Sequence, residues 1–333
     1  MNNVSLVLYV IRVREVENVR GGRYYNLDNI EGRTFMEIFK DYCDTRRFIS
    51  CNKGIQKAAS IKRIDIENEN FSGLIECGNY GYSSEIKSIE TSRTTHLKTN
   101  SEVEMIPFFF SGKIPKDSYK GLIALEKFKT FGCKTVLEDD FNKFLHESDL
   151  KFRITLHPIL PEKVAKQYLQ AGNICKIRLV KHSVPKSIED AYSDKYKLGE
   201  FGTFEYVINP RRNKTLSFKS EINKYLNNQK SIRQVIEVQG LEYDNVKVEL
   251  EIGSKKRTIS LNHIDKLTGD IDISNEIEFD TSGHPRYSSI LNIANDIIRE
   301  YIEVIDYKNY EMKPVNRNNC EERVNEHAMA LQQ

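Results

Sequence analysis

The chain has 333 residues, of which 39% are hydrophobic and 29% charged, and its formal net charge is +2. This composition is typical of a soluble globular protein with room for one large or two ordinary domains. The apolar run at residues 4–13 is too short to span a bilayer and lacks signal-peptide flanks, so we expect a cytoplasmic protein. The six cysteines form no CxxC pair, so we expect reduced thiols and neither a disulfide framework nor a zinc site.

The first third of the chain is predicted to be rich in strands. Residues 4–13 are β-branched and aromatic, as in a buried strand. Residues 32–48 carry apolar side chains at helical spacing, with Thr34 as a candidate N-cap. Residues 71–89 are interpreted as two strands around a glycine-rich bend, and residues 92–102 as a polar loop.

The middle of the chain alternates between predicted strands and helices. The strands are expected at residues 104–112, 119–128, 151–160 and 174–183, and the helices at 133–148 and 162–172. An alternating order of this kind is typical of an α/β unit.

Antiparallel strands and an amphipathic helix are predicted for the last part. Strands are expected at 203–209, 233–238, 246–253 and 257–262, a short helix after residue 218, and a longer helix at 287–305. The predicted fold class is therefore α/β or α+β. We divide the chain into a strand-rich N-terminal domain (1–102), a mixed domain with a basic surface (103–305) and a partly ordered polar tail (306–333).

Catalytic motifs are not evident. The chain has no GxxxxGK[ST] or GxGxxG loop and no HExxH pair, and we predict no cofactor, metal ligand or catalytic residue. The carboxylates of the acidic run Glu138–Asp140 are expected near the N-terminus of the helix predicted at 133–148, where they would stabilise the helix dipole. Glu249 and Glu251, followed by lysines, resemble the carboxylates of metal-dependent nucleases, but they also alternate with apolar residues as on a sheet with one wet face. A nuclease therefore stays an alternative.

Charge is unevenly distributed along the chain. Residues 1–110 have 15 basic and 15 acidic side chains, residues 111–234 have 24 and 14, and residues 235–333 have 11 and 19. A basic middle of this kind favours binding to a polyanion such as DNA, because clustered cations release counterions from phosphate backbones. The densest stretch begins at NPRRNKTLSFK (209–219).

Twelve basic residues are predicted to contact nucleic acid: Lys176, Arg178, Lys181, Arg211, Arg212, Lys214, Lys219, Lys224, Lys230, Lys255, Lys256 and Arg257. Tyr206, Phe218 and Tyr225 lie among them and could stack on bases, although their spacing also fits core packing. The alternative is a solvated basic surface with no ligand. A third interpretation pairs the basic and acidic segments between protomers of a protein-interaction subunit.

Residues 104–185 also resemble a known group of proteins. The block FFFSGKIPKDSYKGLIALEKFKTFGCKTVLEDDFNKFL followed by KFRITLHPILPEKVAKQYLQAGNICKIRLVKHSVP is similar, in order of elements and hydrophobic pattern, to the central region of RexA-like phage-exclusion proteins and KwaB-type defence subunits. The resemblance implies an antiviral defence protein that binds double-stranded DNA with little sequence preference, as a homodimer and with a membrane-protein partner. It transfers no individual functional residue.

Overall fold

The computed structural model describes residues 3–16, 24–129, 131–181, 203–212, 214–227, 229–231, 234–236, 243–253, 255–261, 268–305 and 307. Five helices lie in these ranges: α1 (Phe35–Thr45), α2 (Lys134–Glu147), α3 (Glu162–Ala171), α4 (Lys219–Leu226) and α5 (Tyr287–Ile302).

The same ranges contain fifteen strands: β1 (Val4–Glu15), β2 (Ser50–Asn52), β3 (Lys57–Glu67), β4 (Asn70–Asn79), β5 (Ser84–Lys87), β6 (Thr94–Lys98), β7 (Ile106–Lys113), β8 (Gly121–Phe128), β9 (Phe131–Gly132), β10 (Phe152–Pro158), β11 (Asn173–Lys181), β12 (Phe204–Ile208), β13 (Asn245–Ile252), β14 (Lys255–Ser260) and β15 (Thr268–Asp272).

Thirteen strands form one sheet in the order β12-β11-β13-β14-β15-β1-β8-β7-β4-β3-β2, with β10 added to β1 and β9 to β8, while β5 and β6 form a separate pair. Every pairing among the described strands is antiparallel. The fold is therefore α+β, which was one of the two predicted classes. The strands described in the middle segment do not pair with each other in parallel, as they would in an α/β unit. Instead, β8 and β10 both pair antiparallel with β1, on opposite sides of it.

The central strand β1 supplies side chains to two cores. Leu6 and Leu8 belong to a core that includes buried residues of α3, α4 and α5, whereas Ile11 and Val13 belong to a core that includes those of α1 and α2. Successive strand side chains point to opposite faces, so helices cover both faces of the sheet. Each fully buried Leu or Ile contributes about 1.5–3 kcal/mol relative to an exposed one.

Helix α1 begins with the predicted cap. The Thr34 side chain accepts a hydrogen bond from the Glu37 amide, and the Glu37 carboxylate accepts one from the Thr34 amide. Its apolar face then packs on α2, where the rings of Tyr42 and Phe141 stack at 4.5 Å between centroids. The cap and the aromatic contact together fix both the start of α1 and the face that it buries.

Helix α2 also covers the open edge of β10. Asn142 accepts a hydrogen bond from the Ile154 amide at 2.8 Å, and Glu138 accepts one from the Leu156 amide at 3.0 Å. These side chains satisfy backbone groups that an edge strand would otherwise leave open. Asp140 is also buried and pairs with Arg46 at 3.1 Å. Two members of the acidic run, Glu138 and Asp140, thus have structural roles.

Other sequence expectations differ from the structure. The loop predicted at residues 92–102 contains strand β6, and strand β15 was not predicted. Residues 234–236 form no strand, and the rest of the strand predicted at 233–238 lies outside the described residues, as does the polar tail apart from Tyr307. The predicted boundary near residue 102 does not divide the sheet, because β4 pairs with β7 across it.

The described cysteines are all free thiols. Cys320 lies outside the described residues. Among the helices that the structure describes, each is too short or too polar to cross a membrane.

Candidate nucleic-acid interface

The predicted basic residues lie around β11–β14, α4 and the segment that joins β12 to α4. The starts of β11 and β14 and the ends of β12 and β13 lie at one end of the sheet, because neighbouring strands run antiparallel. The backbone continues this edge beyond β12, where the Leu216 amide donates to the Ile174 carbonyl at 3.1 Å. Basic residues far apart in sequence are therefore grouped in one region.

On β11, two of the predicted phosphate contacts already share one carboxylate. Lys176 and Arg178 both pair with Glu249 of the neighbouring strand β13, Lys176 at 3.3 Å between Nζ and Oε2. Lys181 lies on the other side of β11 from Arg178, since strand side chains alternate, and it has its own interaction partner. Glu249, which the nuclease alternative uses as a metal ligand, thus serves here as the counterion of two cations.

This exposed side of the sheet is balanced in charge. Strand register places five cations and five carboxylates on it: Lys127, Lys176, Arg178, Lys247 and Lys256 with Glu205, Glu249, Glu251, Asp270 and Asp272. Ion pairs join several of them, among them Lys247 with Glu205 and Lys127 with Asp270. A balanced surface has little attraction for a phosphate backbone.

On helix α4, as on β11, two cations share one carboxylate. Glu221 accepts hydrogen bonds from both Lys230 and Lys224, the latter at 3.0 Å, and these bonds lower the pKa of Glu221 to about 2. Lys219 donates to the carbonyl of Gln170, in the last turn of α3, at 3.4 Å. A cation at the C-terminal end of α3 interacts favourably with the helix dipole, so Lys219 has a structural partner as well.

Arg257 does not fit the predicted interface. Its side chain is only 7% exposed, and its guanidinium donates to the carbonyl of Asp272 and pairs with Glu276 at 3.4 Å. The neighbouring Lys256 is exposed on the other side of β14, and the side chain of Lys255 lies outside the described residues. The prediction that Arg257 contacts phosphate is therefore wrong, because its buried guanidinium bonds to groups inside the protein.

Besides Lys256, which lies on the charge-balanced side of the sheet, three predicted residues are left as exposed cations, and we call Arg211, Arg212 and Lys214 the cationic loop. In the part of the chain that the structure describes, no carboxylate lies within ion-pair distance of them. A turn orders their backbone, because the Lys214 amide donates to the Arg211 carbonyl at 2.9 Å. This loop is the part of the predicted strip with the strongest capacity to attract an anion.

The three aromatic residues of the strip divide in the same way. Tyr225 is buried in the core and Phe218 packs against it, so neither ring is available to a base. Tyr206 is 46% exposed on β12, five positions before Arg211 of the cationic loop. It is the one ring of the three that could stack on a nucleobase beside these cations.

A separate cleft of about 910 Å³ lies between α5 and strands β3, β4 and β7. Four of its polar side chains, those of Arg63, Asp65, Ser72 and Tyr287, already bond to each other. The Tyr287 hydroxyl lies 2.9 Å from Asp65 and 2.8 Å from Ser72, and Arg63 donates to Asp65 and stacks on the Tyr287 ring. This network ties α5 to the sheet and leaves none of these groups to be satisfied by a ligand.

Sequence reasoning missed another basic cluster. Arg12 and Arg14 of β1 lie beside Arg153 of β10, and the register pairs Arg14 directly with Arg153. The signal was present in the sequence, because Arg12 and Arg14 continue the side of β1 that begins with the buried residues Leu6 and Leu8. Arginines in such positions break the apolar pattern of a central strand.

Comparison of the chain with known protein families and with curated proteins finds no match. Within the described residues, no three His, Cys, Asp or Glu side chains converge in a way that could hold a metal ion. The nuclease alternative therefore lacks a third ligand to join Glu249 and Glu251 in the described part of the chain.

Proposed function

We propose that the protein binds nucleic acid, in the first place double-stranded DNA, without sequence preference, and that the cationic loop is its main phosphate contact. The observation that carries this proposal is that Arg211, Arg212 and Lys214 are exposed and without an ion-pair partner among the described residues, whereas Lys176, Arg178, Lys224 and Lys230 each pair with a carboxylate.

The physical reason is the energetics of counterion release. A cation that already holds a carboxylate must lose that partner before it binds phosphate, whereas an exposed and unpaired cation loses only water and mobile ions. Phosphate contacts carry no sequence information by themselves, so binding through this loop is expected to be non-specific. The exposed ring of Tyr206 would add a stacking contact of a kind that every base can make.

The biological setting is also a proposal. The resemblance of residues 104–185 to RexA-like and KwaB-type proteins supports a cytoplasmic role in antiviral defence or phage exclusion, as a homodimer that acts with a membrane-protein partner. DNA binding is the step of that role to which the cationic loop contributes, and it can be tested without the partner.

The test is fluorescence anisotropy with two labelled 20-base-pair duplexes of unrelated sequence at 50 mM KCl. The wild-type protein is expected to bind both with the same affinity, and the triple variant Arg211→Glu, Arg212→Glu, Lys214→Glu is expected to bind both at least a hundredfold more weakly. A matched control, Lys40→Glu, Lys62→Glu, Lys87→Glu, makes the same change in net charge at exposed positions away from the loop. Equal loss in both triple variants would show that net charge alone, and not the loop, determines binding.

A further inference from the structure

The basic cluster of β1 and β10 has an unusual register. Arg14 is the direct cross-strand partner of Arg153, and Arg12 is the direct partner of Thr155. Side chains of direct partners lie on one face of the sheet with their Cβ atoms about 4.5–5.5 Å apart, and like charges in such pairs repel each other. Three arginines are thus held together on one small area by the backbone pairing itself.

No carboxylate relieves this repulsion within the described chain. The ion pairs of the described residues include none for Arg12, Arg14 or Arg153. Elsewhere in the sheet the same problem is solved by an interleaved acid, as Glu249 does between Lys176 and Arg178. Among the described residues, the β1–β10 cluster therefore has no counterion of the kind that Glu249 provides on β13.

The cluster also contains buried polar atoms without partners. Nη1 of Arg12, Nε of Arg14 and Oγ1 of Thr155 are buried and have no hydrogen-bond partner in the part of the chain that the structure describes, and Thr155 as a whole is only 7% exposed. Buried polar groups are nearly always hydrogen-bonded, so three orphans on adjacent residues require an explanation. Two guanidinium donors and one hydroxyl match the oxygens of a tetrahedral anion.

Neighbouring side chains hold the cluster in place and show its positive potential. The Arg12 guanidinium lies over the ring of Tyr24, 5.0 Å from its centroid, and Tyr24 forms a backbone bridge with Arg14. Burial and the charge of Arg12 lower the pKa of His157, which is the residue two positions after Thr155. The donors are therefore ordered in advance, as preorganised recognition requires.

We propose that Arg12, Arg14, Arg153 and Thr155 form a binding site for a phosphate monoester. Three cations that pair with no carboxylate of the described ranges favour a dianion over the single charge of a backbone phosphodiester, and guanidinium forks bind two oxygens of one phosphate at once. The site goes beyond the proposed function. Lys256, at the end of the sheet that bears the cationic loop, pairs with Asp272 of β15, which in turn pairs with Ser5 of β1. Arg14 is nine residues after Ser5 on β1, so it lies about 30 Å from that end along the strand direction.

The test is isothermal titration calorimetry of the full chain with inorganic phosphate at pH 7.5, at constant ionic strength set with chloride. The wild-type protein is expected to bind phosphate, and Arg14→Gln and Arg153→Gln are each expected to weaken binding at least tenfold. Arg286→Gln removes an exposed arginine elsewhere and is expected to bind as the wild type does. Absence of phosphate binding to the wild-type protein, or equal binding by Arg14→Gln, would overturn the proposal.

Thermal unfolding provides a readout that a merely structural role would not give. Without phosphate, Arg14→Gln is expected to unfold at the same or a higher temperature than the wild type, because it removes a like-charge contact. With phosphate, only the wild-type protein and Arg286→Gln are expected to gain stability. If both Arg14→Gln and the exposed variant Arg153→Gln are less stable without phosphate, these arginines serve the fold and the proposal is wrong.

The source of the phosphate monoester is distinguished by two further ligands, adenosine monophosphate and an oligonucleotide with a 5′-phosphate. Both experiments use the cationic-loop triple variant, so that they do not depend on the proposed function. Competition with inorganic phosphate by the 5′-phosphorylated oligonucleotide, but not by its 5′-hydroxyl form, supports recognition of nucleic-acid ends. Competition by the mononucleotide alone supports a free phosphate ester as the ligand. Failure of both ligands to compete would contradict a phosphate-monoester site.

Discussion

Replacement of Glu221 by Gln is expected to strengthen DNA binding. In the structure this one carboxylate accepts hydrogen bonds from both Lys224 and Lys230, and they hold its pKa at about 2, so it stays ionised at any ordinary pH. Glutamine keeps the shape of the side chain but removes the one negative charge that both lysines share. Both cations then become available on the helix that follows the cationic loop.

The magnitude follows from counterion release. Each added phosphate contact steepens the plot of log affinity against log salt by about 0.9, so two contacts steepen it by about 1.8. From a common affinity at 1 M salt, binding at 0.1 M would be about 8-fold tighter for one full contact and about 60-fold tighter for two.

The assay is anisotropy with a labelled duplex over a series of KCl concentrations. Glu278→Gln is the matched control, since it makes the same change in net charge and releases Arg286, which pairs with Glu278 at 2.8 Å on another part of the surface. Unchanged or weaker binding by Glu221→Gln, or an equal gain in the control, would refute the reasoning that local neutralisation limits the interface.

Two further predictions concern stability. Burial raises the pKa of Glu126 to about 7, so the stabilising contribution of its protonated form is complete below about pH 4.5 and is lost as the pH rises through 7. Urea unfolding at pH 5 and pH 8 should therefore show that Glu126→Gln removes a pH-dependent loss of about 2–3 kcal/mol, and an unchanged loss would contradict this. Asp140→Asn removes one of the two carboxylates that pair with the buried Arg46, the other being Glu147, and should cost about 1.5–3 kcal/mol in urea unfolding, whereas Asp139→Asn should cost below about 1 kcal/mol. Equal losses in these two variants would argue against the buried pair.

The local elements could be predicted from the sequence because they depend on short-range patterns. The capped helix after Thr34 and the buried strand at the N-terminus follow from side-chain spacing, and the structure confirms both. Strand β6 was missed because TTHLK belongs to an exposed two-stranded pair that buries little apolar surface, so its sequence has no apolar face. Pairing partners were not predictable, since β1 alone joins segments more than a hundred residues apart.

The sequence predicts which basic residues cluster at the candidate site, but not which of their side chains are free to bind a phosphate. Sequence shows where lysine and arginine cluster, but Glu249 neutralises Arg178 from 71 positions away, and only the strand register reveals it. The sequence alone could have excluded Arg257 as a phosphate contact, because it lies two residues from the buried Ile259 and therefore on the same side of the strand. The same phase rule would have singled out Arg12 and Arg14 on the apolar side of β1.

The most direct test of the central claim compares the salt dependence of duplex binding between the wild-type protein and the triple variant Arg211→Glu, Arg212→Glu, Lys214→Glu. Each of these cations is expected to contribute one phosphate contact, so the slope of log affinity against log salt should be about 2.7 smaller in magnitude for the variant, on two duplexes of unrelated sequence alike. Identical slopes for the two proteins would contradict the assignment of the cationic loop as the nucleic-acid interface.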